Sequence, residues 1–97
     1  MEKVFDPIHY KATTREQWQM AAEAWHGWHP TLKTWLGPAT DLMLNMAQVK
    51  PGYRILDVAA GAGEQSITGA EKVGPAGYVL ATDLAPKILE FALELAG

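Results

Sequence analysis

A glycine-rich stretch near the middle of the chain has the features of a nucleoside-binding loop. Ile55 to Ser66 reads ILDVAAGAGEQS, with a carboxylate at Asp57 and only small residues from there to Gly63. Small residues ahead of a helix let a ligand lie against the backbone, because larger side chains would fill the ligand's volume. Asp83 ends a second apolar run, where a carboxylate can accept hydrogen bonds from both ribose hydroxyls. These residues predict a site for an adenosine-type nucleoside.

The charges around this loop argue against a dinucleotide and favour S-adenosylmethionine. A G-x-G-x-x-G fingerprint needs glycine at position 66, where this chain has Ser66. Asp57 would repel a pyrophosphate, which also disfavours a nicotinamide-dependent oxidoreductase. It could instead receive an ammonium group, directly or through water, while the N-terminus of the following helix meets a carboxylate. S-adenosylmethionine carries this distribution of charge.

The first half of the chain, residues 1–50, is predicted to be a helical cap. Thr13 or Thr14, each followed three residues later by Glu or Gln, matches a capping box and predicts the start of a first helix. Gly27 and Pro30 are expected to end that helix.

Two further helices are predicted before the Pro51–Gly52 turn signal. The first covers residues 31–36 and is stopped by Gly37 and Pro38, and the second lies within residues 39–49, where apolar residues recur at helical spacing.

The second half, residues 51–97, is predicted to be a partial Rossmann-like domain with the order β, α, β, α. The predicted elements are a strand in 53–59, a crossover helix in 63–73, a turn in 74–77, a strand in 77–83 and a helix opened by Pro86. Both strands are expected to be buried on both faces and to end in an aspartate. Strands joined by a crossover helix are parallel and bind ligands beyond their C-terminal ends.

Two motifs resemble those of class I S-adenosylmethionine-dependent methyltransferases, with the greatest resemblance to the ubiquinone and menaquinone biosynthesis C-methyltransferase branch. ILDVAAGAG resembles the first family motif and VLATDLAP the second, over residues 53–95. Ala59 stands where glycine is usual, a substitution often found in that branch. The resemblance implies S-adenosylmethionine as the cofactor. The residues that it implies as cofactor-binding are Asp57, Ala59, Ala60, Gly61, Gly63, Gln65, Asp83 and Leu84.

The same resemblance implies a larger sheet than the two strands predicted here. The expected fold class is therefore α/β, with an N-terminal helical cap followed by the first β-α-β-α of an incomplete Rossmann-like methyltransferase sheet. The expected function is that of the cofactor-binding N-terminal portion of a small-molecule methyltransferase, inactive alone. The alternative is a noncatalytic truncated remnant that associates through exposed sheet edges and binds no cofactor.

The amino-acid composition argues against some kinds of binding partner. The net charge is −3, and no run of Lys or Arg provides the footprint that a nucleic acid backbone requires. No apolar run approaches the roughly 20 residues needed to span a bilayer. The absence of cysteine agrees with a cytoplasmic protein. We expect a small-molecule methyl acceptor, no nucleic acid or membrane partner, and homo-oligomers formed through unpaired strand edges.

Aromatic and histidine residues of the first half leave several roles open. The tryptophans could form a core stripe, or a lid that approaches the sulfonium and shields an apolar acceptor from water; they are Trp18, Trp25, Trp28 and Trp35. The candidates for a general base are His9, Tyr10, His26 and His29, and none is assigned. His26 and His29 lack a third ligand at suitable spacing, so no metal site is predicted.

Overall fold

A computed structural model describes residues 3–97, in which two long helices precede a small α/β unit. The elements are α1 (Pro7–Gly27), α2 (His29–Met46), β1 (Arg54–Val58), α3 (Glu64–Val73), β2 (Tyr78–Thr82) and α4 (Pro86–Ala96). This order confirms the predicted fold class, a helical cap followed by β-α-β-α with an incomplete sheet. No helix among these residues is long and apolar enough to cross a membrane.

The first helix begins seven or eight residues earlier than the capping box at Thr13 or Thr14 predicted. Asp6 is the N-cap, and its Oδ1 accepts hydrogen bonds from the amides of Ile8 at 3.0 Å and His9 at 3.2 Å. Pro7 follows at the first helical position, where its fixed φ suits a helix and its missing N–H costs nothing. Asp followed by Pro is thus a complete start signal, and the prediction at Thr13 or Thr14 was wrong.

The prediction of two helices separated by Gly37 and Pro38 was also wrong, because α2 runs through both residues. A proline inside a helix removes one backbone hydrogen bond and crowds the preceding turn, at a cost of about 3 kcal/mol. Beyond the proline, Thr40 and Leu44 are buried, and α2 packs against α3. We infer that this packing offsets the loss and keeps the helix continuous.

The two strands are parallel, as predicted, and Asp57 lies opposite Ala81 in their register. They are shorter than predicted, and the prediction that each ends in an aspartate was wrong: Asp57 is the fourth of five residues in β1, and Asp83 directly follows β2. The prediction that both faces are buried was wrong. One face points towards α3, and the other is exposed; the large exposed side chains there are Leu56, Val58, Tyr78 and Leu80.

A small core joins the cap to the α/β unit. Its buried residues are Ala22 of α1 and Ala62, Ala85 and Ile88 of the second half, with Phe91 packed against them. The Gln19 side chain accepts a hydrogen bond at 2.8 Å from the Lys87 amide in the first turn of α4. The radius of gyration is 15.7 Å, against the roughly 12–13 Å of a compact domain of this length, so the molecule is elongated.

Candidate functional site

The glycine loop, residues 59–63, has an unusual backbone with three residues in the left-handed region. Ala59, Gly61 and Gly63 have φ values of 59°, 62° and 100°. A Cβ added at Gly63 would lie 2.9 Å from the Ala92 Cβ, so this glycine allows the loop to pack against α4. A Cβ at Gly61 would meet nothing within 4 Å in the described chain, so this position leaves open space above the loop.

The half-buried Asp83 carboxylate fastens the glycine loop to the turn after β2. Its Oδ2 accepts a hydrogen bond from the Gly61 amide at 3.0 Å, and its Oδ1 accepts one from the Ala85 amide, also at 3.0 Å. A carboxylate has about four acceptor positions, so each oxygen can accept a further bond. Asp83 is therefore held in a fixed orientation with acceptor capacity to spare.

The Asp57 carboxylate lies beneath the glycine loop. Its Oδ2 accepts a hydrogen bond of 2.6 Å from the Ser66 hydroxyl on the first turns of α3. Serine at the position of a third glycine thus anchors the crossover helix to β1. Asp57 is half-buried and does not line the cleft described in the next paragraph. It would therefore interact with a ligand in that cleft by longer-range electrostatic attraction or through a bridging water.

A cleft of about 670 Å³ lies between the glycine loop and the cap. The loop wall comprises Ala59, Ala60, Gly61, Gln65, Asp83 and Leu84. These are six of the eight residues predicted to bind the cofactor; Asp57 and Gly63 lie outside the lining. The cap wall comprises Trp18, Trp25, His29, Leu32, Lys33 and Leu36.

The tryptophans do not form a core stripe, so that interpretation was wrong. Trp18 and Trp25 are 41% and 39% exposed, and both line the cleft with their ring centroids 6.0 Å apart. Trp28 and Trp35 are more exposed and contribute no part of the cleft wall. Two of the four tryptophans thus occupy the position expected of a lid over the site.

A polar pair at the cleft connects the cap to the first residue of α3, and sequence reasoning missed it. His29 Nδ1 lies 2.9 Å from Glu64 Oε1, and both side chains are mostly buried. His26 instead stacks on Phe91 with ring centroids 4.4 Å apart, outside the cleft lining. Within residues 3–97 no group of three or more potential ligands could hold a metal ion.

The cleft combines an apolar cap wall with an acidic lining. Among residues 3–97, three carboxylates line it, those of Glu64, Glu71 and Asp83, against the one ammonium group of Lys33. Such a lining attracts cationic groups and repels a polyphosphate.

Curated methyltransferases share sequence with this chain. It is 44% identical over 52 residues to the protein-L-isoaspartate O-methyltransferase of Aeropyrum pernix, covering 54% of this chain and 20% of that protein. It is 44% identical over 43 residues to the ubiquinone/menaquinone biosynthesis C-methyltransferase of Burkholderia multivorans, covering 44% and 18%. The chain thus spans about a fifth of the length of these relatives. No protein-family model matches it.

A solved structure agrees with these relatives. The crystal structure of an S-adenosylmethionine-dependent methyltransferase from Aquifex aeolicus superposes with a TM-score of 0.55 and 30% identity, covering 59% of this chain and 30% of that one. Sequence and fold together confirm the resemblance to class I S-adenosylmethionine-dependent methyltransferases. The chain contains a methyltransferase-like region with part of the family's α/β sheet.

Proposed function

We propose that the cleft binds S-adenosylmethionine and presents its methyl group to a small-molecule acceptor. The observation that carries this proposal is the Asp83 carboxylate, fixed by two backbone amides at the C-terminal end of β2 and lining the cleft beside Gly61. A ribose placed over the loop would donate its two hydroxyls to the remaining acceptor positions of that carboxylate.

The methionine end of the cofactor would lie at the start of α3. Among residues 3–97 no side chain caps this helix, so its first amides are available to a ligand carboxylate. In this proposal the Asp57 carboxylate attracts the ligand's ammonium group from beneath the loop.

The acceptor proposed here is a small molecule, not a nucleic acid. The apolar faces of Trp18, Trp25 and Leu32 suit an uncharged organic compound, and the acidic lining opposes a phosphate backbone. Methyl transfer from a sulfonium needs chiefly alignment and exclusion of water, which a lidded cleft supplies. Because the described sheet has only two strands, we expect turnover to require further sheet elements.

Calorimetric titration with S-adenosylhomocysteine tests the cofactor site. The wild-type chain should bind saturably, and Asp83→Asn should bind about 10- to 100-fold more weakly, since hydrogen bonds to a charged group contribute about 1.5–3 kcal/mol. Asp41→Asn, an exposed position on α2, is the matched control and should bind like the wild type. No binding by the folded wild type would overturn the proposal, and unchanged affinity of Asp83→Asn would remove the ribose contact.

We also propose that copies of the chain associate through the sheet. The exposed apolar face of β1 and β2 and their unpaired edges form a surface that natural folds normally cover. Light scattering should therefore show dimers or larger species, and Leu56→Lys, in the middle of that face, should shift them towards monomer. A monomeric wild type at high concentration would contradict this proposal.

A further inference from the structure

The contact between His29 and Glu64 connects two elements that the sequence separates widely. His29 is the first residue of α2 and Glu64 the first of α3, and their side chains are 22% and 26% exposed. Exposed ion pairs contribute little to stability, whereas this contact is short, mostly shielded and part of the cleft lining. Its position therefore raises the question of a chemical role.

The pair assigns a tautomer to His29. The contact itself gives no direction, but an ionised carboxylate only accepts hydrogen bonds, so we assign the proton to Nδ1, which then donates to Glu64 Oε1. In the neutral ring, Nε2 then carries a lone pair. No hydrogen bond within the described residues uses Nε2, and the ring lines the cleft. His29 is thus arranged as a base whose second nitrogen is oriented by a carboxylate.

The other titratable groups considered from the sequence are poorly placed for this role. His26 lies against Phe91 with its Nδ1 buried and unpartnered, and His9 and Tyr10 lie on α1 outside the cleft lining. Asp83 already accepts two amides. His29 is the cleft residue whose hydrogen bonding leaves a basic nitrogen unused.

The walls of the cleft indicate what such a base would act on. Apolar surface from Trp18 and Trp25 favours an uncharged ligand, and carboxylates near His29 disfavour an acceptor that arrives as an anion. A neutral hydroxyl is a weak nucleophile until its proton leaves. An acceptor of this kind therefore needs a base within hydrogen-bond reach.

We propose that His29 accepts the proton of a hydroxyl-bearing apolar methyl acceptor and that Glu64 is its positioning residue. The inference rests on the proposed function. The acceptor's O–H bond breaks and its proton moves to Nε2, while an electron pair of the acceptor forms the new bond to the methyl carbon. The carbon–sulfur bond breaks with its electron pair remaining on sulfur. Glu64 then faces an imidazolium that its negative charge stabilises.

Binding of para-nitrophenol tests the proton transfer without requiring turnover. Its phenolate is yellow and its phenol is nearly colourless, so absorbance reports where the proton is. Near neutral pH, where an ordinary imidazole is largely neutral, the wild-type chain should bind it, as measured by calorimetry, and produce a phenolate band in the difference spectrum against the same concentration of free compound. Saturation with S-adenosylhomocysteine should leave that band in place, because the two ligands occupy different walls of the cleft.

Substitutions separate a proton acceptor from a structural residue. His29→Gln should still bind para-nitrophenol but lose the phenolate band, and Glu64→Gln, which can still accept from Nδ1, should show a weaker band. His9→Gln, the same exchange at an exposed site on α1, should match the wild type. In His29→Ala, added imidazole should restore the band, which a purely structural role for the ring would not allow.

Several outcomes would overturn the inference. These are failure of the wild type to bind para-nitrophenol, binding without the phenolate band, a band that persists in His29→Gln, and failure of imidazole to restore it in His29→Ala. Titration with S-adenosylhomocysteine keeps the two proposals apart. If that ligand binds while the phenolate band is absent, the cofactor site stands and the role of His29 falls.

Discussion

The two walls of the cleft are built by different physical means. The loop wall takes its shape from the backbone, with Ala59 and Gly61 in left-handed conformations and Asp83 fastening the turn to β2. The cap wall consists of long side chains that project from two helices, and Trp18 and Trp25 remain about two-fifths exposed there. A backbone-built wall tolerates little change, whereas a side-chain wall can be altered residue by residue. Under the proposed function, the loop wall would hold the cofactor and the cap wall would contact the acceptor.

Substitution at Gly63 should distort the glycine loop behind the loop wall and give the largest loss of folding stability. Gly63→Ala combines a left-handed φ, which costs about 1–2 kcal/mol, with overpacking against Ala92, which costs about 1–3 kcal/mol. The lower freedom of alanine in the unfolded chain offsets about 0.4–1 kcal/mol of these costs, so we expect a total destabilisation of about 2–4 kcal/mol, measured by urea unfolding. Gly61→Ala has a left-handed φ without the clash, and the same unfolded-state term offsets part of its cost, so it should lose only about 0.5–1 kcal/mol. Equal losses at the two positions would contradict the close packing of the loop on α4.

Loss of the Asp57–Ser66 hydrogen bond should give the next largest decrease in folding stability. Asp57→Asn and Ser66→Ala each weaken a short, half-buried bond that holds α3 to β1, so each should cost about 1–2 kcal/mol. The double variant should lose less than the sum, since both changes remove the same interaction. Strict additivity in urea unfolding would show that the two residues act separately.

The sequence predicted the α/β unit better than the cap for a physical reason. In the second half, turn signals such as Pro51–Gly52 bound short apolar runs, and these local features determine the elements. In the cap, the continuity of α2 through Pro38 depends on packing against α3, which local propensity does not contain. Only the start of α1, at Asp6–Pro7, was signalled locally and overlooked.

The sequence likewise predicted one part of the candidate site and missed another. The spacing of small residues and acids led to the loop wall, because strand ends and helix starts follow from local pattern. The exposed sheet face and the His29–Glu64 pair could not be predicted, since they depend on which elements meet in three dimensions. The partners of that pair lie 35 residues apart. The tryptophan stripe was misread because a helical period indicates a shared face without saying whether that face meets core or cleft.

A smaller loss of stability is expected when the Gln19 side chain, which attaches the cap to α4, is removed. Gln19→Ala removes the acceptor of the Lys87 amide, an exposed bond that water can partly replace. We expect a loss of about 0.5–1 kcal/mol, comparable to that of a helix cap. Gln17→Ala, an exposed exchange on the same helix, should change stability by less than about 0.5 kcal/mol. A difference between the two would show that a side chain, not backbone geometry, fastens the cap to α4.

The smallest change in folding stability, and a gain instead of a loss, is expected for a substitution at Ala59. Glycine at a φ of 59° relieves the backbone strain of the folded state, which stabilises the fold. Glycine also increases the conformational entropy of the unfolded chain, which destabilises the fold, so the two effects largely cancel. Ala59→Gly should therefore stabilise the fold by about 0.5 kcal/mol. Gln48→Gly, at a φ of 56° in the turn after α2, should give a similar gain and is the matched control. Because Ala59 lines the cleft and Gln48 does not, only the former should change S-adenosylhomocysteine affinity. Equal affinities in both variants would mean that the ligand does not contact this part of the loop.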